Sequence, residues 1–142
     1  MTPTNMAEPT LIEPLAFVRS HPTMFFGEAA PNALDCVQHL CAEVFARGSP
    51  DLTVERLGRW WICWSSFDWF RAEDPASMLS RIVALPEYRD NASCVEIVLL
   101  AFADAVTTYG ALTGDLVASG DSPPEEVWTA MRKGARGLAF RF

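Results

Sequence analysis

The sequence predicts an α+β domain in which helices pack on one face of a small, mainly antiparallel sheet. Three observations carry this expectation. Leu52 to Leu57 and Arg59 to Ser65 are two strand-like runs joined at Gly58. Segments with helix caps flank that pair on both sides. The most apolar segment, Cys94 to Tyr109, suits a buried central helix and is too short to span a bilayer. One helical layer on one sheet accommodates all three. At 142 residues the chain has single-domain length. The polar, proline-containing segment 1–10 is expected to be a flexible tail, and 11–142 the domain.

Taken in order, Leu11 to Val18 is a helical segment that tolerates Pro14 in its first turn. His21-Pro22 ends it, because the residue before proline avoids the α region. Met24-Phe25-Phe26-Gly27 reads as an extended segment closed by a turn. Asn32 is the N-cap of the next helix and Gly48 follows its end. Leu34, Val37, Cys41, Val44 and Phe45 form its apolar stripe. Asp35, Gln38, His39, Glu43 and Arg47 form its polar side.

In the second strand Trp60, Ile62 and Trp64 share one face, and Trp61, Cys63 and Ser65 the other. Both faces are apolar, so this strand belongs in the sheet interior or has its back covered. A short helix is expected over Ala76 to Leu85. Capping boxes at Ser93-x-x-Glu96 and Ser122-Pro-Pro-Glu125 open two more, ending near Gly110 and Gly134. Leu138, Phe140 and Phe142 alternate as a final strand.

Composition narrows the function classes. The formal charge is −7. Such a field repels phosphate backbones and anionic lipid, so neither nucleic acid nor a membrane surface is the expected partner. Cys36, Cys41, Cys63 and Cys94 form no C-x-x-C pair and no zinc-ligand cluster. They lie in apolar runs and read as reduced, buried thiols in a cytoplasm. No cofactor or metal is implied. No histidine stands beside a nucleophile elbow, so His21 and His39 read as surface residues. Arg132, Lys133, Arg136 and Arg141 read as a solvated helix end.

One stretch resembles a known family. Leu15-Ala-Phe-Val-Arg-Ser-His-Pro-Thr-Met-Phe-Phe-Gly27 is similar to the opening motif of gyrase-B type (GHKL) ATPase domains, with Arg19, Pro22, Met24 and Gly27 matching. Gln38 to Phe45 resembles the helix that follows, and Glu43 falls on the family's general-base glutamate. The resemblance spans residues 11–65. It implies a nucleotide cleft, which this sequence leaves incomplete. Arg47 stands where the family has its magnesium-binding asparagine, and Mg²⁺ requires oxygen ligands. The adenine-reading D-x-G-x-G is replaced by Ser65-Ser-Phe-Asp-Trp-Phe70, with Asp68 as a displaced remnant lacking the glycines.

The expectation is therefore a non-catalytic protein-interaction or regulatory domain, paired with a protein partner or with a second copy. Its surface would be the aromatic sheet face at Trp61, Trp69 and Phe70. The alternative is a nucleotide- or anion-binding domain without hydrolysis, its cleft lined by Arg19, Glu43, Arg47 and Asp68. Glu43 also has a plainer reading, as a solvated helix face with His39 and Arg47 four residues to either side.

Overall fold

A computed structural model describes residues 14–22, 31–71, 74–79 and 95–142. Among these, five helices and five strands alternate along the chain. They are α1 (Pro14–Ser20), α2 (Ala33–Ala46), β1 (Thr53–Leu57), β2 (Trp60–Ser65), α3 (Pro75–Leu79), α4 (Val95–Phe102), β3 (Ala105–Gly110), β4 (Gly114–Ser119), α5 (Glu125–Met131) and β5 (Arg136–Arg141). The expected tail, the Met24–Gly27 segment, the Ser93 capping box and the end of the Ala76–Leu85 helix lie outside the described residues.

The strands form one antiparallel sheet in the order β1-β2-β5-β3-β4. The α+β class is therefore what the structure has. The first hairpin closes through Gly58-Arg59, with Gly58 at φ +59° as a side-chain-free residue allows. Pairing places Val54 beside Cys63 and Trp61 beside Phe140. The two sheet edges differ. β1 carries Glu55 and Arg56. On β4 a register shift opposite Val106/Thr107 leaves Ala118 as an extra residue.

α1, α2, α3 and α4 cover one face, where Val18, Leu40, Val44, Leu79, Ile97 and Leu99 meet Cys63, Val106, Leu138 and Phe140. α4 touches each of the other three and is the central helix of that layer. The structure adds a second, smaller layer on the opposite face. There α5 places Val127, Ala130 and Met131 on Trp60, Ile62 and Ala139. The reason lies in β2. Its two apolar faces each carry large rings, so each requires cover. Gly137 makes that cover close, because a Cβ there would sit 2.7 Å from the Met131 Cγ.

Several local expectations are corrected. Cys94 to Tyr109 is not one helix: α4 stops at Phe102 and β3 starts at Ala105. The Asp104 N–H donates to the Arg141 carbonyl at 2.7 Å, and the chain joins the sheet there. Val106, Thr107, Thr108 and Tyr109 are β-branched or aromatic and favour the strand. Strand β4 was not anticipated. At α5 the Ser122 capping box does not form; Pro124 is the N-cap and makes no side-chain cap bond. In α2 the inward residues are Cys36, Val37, Leu40, Glu43 and Val44, whereas Leu34 is 55 % and Phe45 50 % exposed. The helix is turned so that Glu43 and Arg47 face inward. Its Asn32 N-cap is as expected, with the side chain accepting from the Asp35 N–H at 3.0 Å.

Candidate functional site

The side chains expected to form a cleft stand mostly around the turn after β2. Asp68 sits in that turn and Arg136 begins β5, two strands that run side by side. Arg136 is fully buried, and one edge of its guanidinium grips both oxygens of Asp68: Nε to Oδ1 at 2.9 Å and Nη2 to Oδ2 at 3.1 Å. Nη1 donates to the Thr108 hydroxyl and Nη2 also to Thr113, each at 3.3 Å. The Phe70 ring lies 4.2 Å from the guanidinium carbon. Gly110 leaves the room this requires, since a Cβ there would lie 2.6 Å from Nη2. Asp68 is thus a bound structural carboxylate. The reading of Arg136 as part of a solvated helix end is overturned.

A second buried pair lies on α2. Glu43 Oε2 stands 3.7 Å from Arg47 Nε, with Glu43 1 % and Arg47 5 % exposed. A solvated helix face is therefore excluded for both. Arg47 Nη1 donates to the Trp69 carbonyl at 3.4 Å, and the Arg47 carbonyl accepts from Arg71 Nη2. These bonds fasten the end of α2 to the turn at residues 68–71, where Arg71 adopts φ +55°. Glu43, Arg47 and Asp68 are thus brought into one region, but as buried ties and not as the lining of an open cleft. Arg19 lies exposed on the last turn of α1.

The proposed aromatic surface is also corrected. Trp69 and Phe70 are buried in the main core and pack edge to face at 5.8 Å. Trp61 is half-buried, with the Arg56 guanidinium 4.9 Å from its ring centre. Three further indoles carry cations of this chain: Trp60 has Arg141 at 5.4 Å, Trp64 has Lys133 at 4.9 Å and Trp128 has Arg132 at 5.7 Å. The tryptophan-rich strand is consequently dressed from within. Trp69 is the exception, covered by the core itself.

Beside the Asp68 turn is a hydroxyl–carboxylate network. Asp51 Oδ1 accepts from the Ser65 hydroxyl at 2.9 Å and the Ser66 N–H at 2.8 Å, while Oδ2 accepts from the Ser66 hydroxyl at 2.6 Å. These donors, the Ser66 hydroxyl foremost, hold the Asp51 carboxyl below the usual carboxylate range. Ser65 and Ser49 are linked hydroxyl to hydroxyl at 2.6 Å. His21 and His39 are exposed, and His21 Nδ1 meets the Phe17 carbonyl at 2.8 Å. Serine hydroxyls such as these are weak nucleophiles unless a base activates them.

Cys36, Cys41 and Cys63 are free thiols. Burial pushes Cys36 up to about 12 and raises Cys63 as well, so neither is a nucleophile at neutral pH. Among the described residues no three metal-ligating side chains cluster, and no helix is long and apolar enough to cross a membrane. Arg136, Thr108 and Thr113 were missed by sequence reasoning. The available hint was Arg136 flanked by glycines at 134 and 137, which reads as backbone crowded against something. In comparison with known proteins, no family model matches the chain and no curated protein or solved structure matches it significantly.

Proposed function

We propose that this domain is a non-catalytic protein-interaction or regulatory module, related to a gyrase-B type core whose nucleotide position has been taken over by the chain's own arginine. The observation that carries the reading is the Asp68–Arg136 pair. Asp68 is the residue that would read a base, and both of its oxygens already accept from Arg136. A ligand would have to displace a buried guanidinium, and breaking one partner from such a pair costs about 3–5 kcal/mol. Arg47, at the magnesium-binding position of the resemblance, puts a cation where a metal would have to sit, held between Glu43 and the Trp69 carbonyl.

These same bonds weigh against the nucleotide- or anion-binding alternative, which needs Glu43, Arg47 and Asp68 open to solvent. Self-association through the sheet edges is disfavoured by the charges on β1 and the bulge on β4, both of which discourage strand addition. These features favour a partner bound on a face of the domain over strand addition at an edge. The test is thermal: millimolar ATP, with and without Mg²⁺, leaves the melting temperature unchanged. A rise would mean that the native state binds nucleotide, and the reading would fall.

A further inference from the structure

The α5 face of the sheet offers a surface for such a partner. α5 sits over β2, β5 and β3 and stops short of β1. The β1 residues on that side, Thr53, Glu55 and Leu57, are exposed. A shelf is left beside the helix, forming a groove of about 300 Å³. Leu57, Ile62 and Ala130 supply an apolar floor, Glu55 and Glu126 stand on the rim, and Lys133 lies at the same opening. Arg56 contributes backbone here, because its guanidinium is turned to the other face over Trp61.

The charge on this groove selects its occupant. Lys133, the chain's one lysine, has its ammonium 3.9 Å from the Glu55 carboxylate and 4.9 Å from the Trp64 ring centre. At the edge of the groove Lys133 thus already stands between a carboxylate of its lining and the neighbouring Trp64 indole, the chemistry a ligand's cation would use. Glu55 is engaged by Lys133 and Glu125 by Arg132. Among the described residues no ion pair reaches Glu126, which leaves a carboxylate open on the rim. The formal charge of −7 adds attraction at long range.

We infer that this groove docks a basic segment of another protein, with aliphatic side chains on Leu57, Ile62 and Ala130 and a Lys or Arg head on Glu126. The inference rests on the interaction reading above and names its partner's chemistry. Long basic side chains fit such a place, with the stem on apolar surface and the head at a wet edge.

The experiment titrates two nonapeptides into the isotope-labelled full chain and follows backbone and indole N–H resonances. One peptide alternates arginine and leucine; the other alternates glutamate and leucine. The arginine peptide should shift the Trp64 indole and the amides around Glu55, Leu57 and Ala130, and the glutamate peptide should not. Glu126→Lys should weaken the arginine peptide about tenfold, as loss and reversal of a rim charge at a partly desolvated contact would. The double variant Gln38→Lys/Ala42→Lys changes net charge equally on the far face of α2 and should alter affinity by less than about twofold. Equal weakening by both variants would mean diffuse attraction and overturn the groove. So would no shift with either peptide at millimolar concentration. Shifts centred instead on Leu34 and Phe45 would also overturn it, while leaving an interaction domain standing. Nucleotide stabilisation would sink the functional reading without touching the peptide result.

Discussion

Arg136 uses its guanidinium to join β5, β3 and the turn after β2, and that makes it the most consequential single side chain outside the apolar core. Replacing it with methionine keeps bulk and removes every donor. The Asp68 carboxylate is then stranded, and we expect a loss of about 3–5 kcal/mol, read from the urea midpoint. The double variant Arg136→Met/Asp68→Leu should recover much of that loss, because an apolar pair leaves no charge without a partner. Gly110→Ala tests the same place from the backbone side. Its new Cβ would press on the guanidinium, and a melting temperature lowered by the equivalent of about 1–3 kcal/mol is expected. An unchanged midpoint in either variant would refute this role. The sequence revealed Asp68 as a residue of interest, but nothing near it in sequence announces a partner at position 136. Long-range pairing of this kind leaves no spacing rule to read.

Among the elements, α2 shows why a helix face is harder to read than a helix. Its start at Asn32 and its stop before Gly48 follow from local backbone chemistry, and both were legible. Which side faces inward depends on Glu43 and Arg47, charged residues whose mutual pairing lets them be buried. Hydropathy alone finds Val37 and Val44 but rotates the stripe toward Leu34 and Phe45, which are exposed. The two orientations predict opposite mutational costs. Leu40→Ala should cost about 2–5 kcal/mol, while Leu34→Ala and Phe45→Ala should stay within about 0.5 kcal/mol of wild type. The expected stripe would give a large loss at Leu34. Asn32→Ala should cost about 1 kcal/mol through the lost cap. The β1–β2 hairpin was legible because Gly58 interrupts two alternating runs. The end of α4 was not, since nothing but a change from Leu-rich to β-branched residues marks where Ala103 leaves the helix.

At the scale of the whole molecule, acid and alkali should destabilise for different reasons. Asp51 has a folded pKa below its unfolded value of about 3.9. Its contribution is fully present above that value and is lost as pH falls through the lower, folded one. Cys36 and Cys63 have folded pKa values above the unfolded thiol value of about 8.5. Their contribution is present below that and fades as pH rises toward 12, the value reached by Cys36. Melting temperature should therefore plateau between about pH 5 and 8. Ser66→Ala should flatten the acid limb, and a variant whose acid limb matches wild type would show that Asp51 carries no part of it. The sheet order has a last consequence, for synthesis. Its middle strand is the last of the five to leave the ribosome, so until residue 141 emerges the growing chain holds two unconnected hairpins, each with an open flank. The nascent protein must wait, with those two flanks open, for its keystone, and this interval is where chaperones and slow codons would matter.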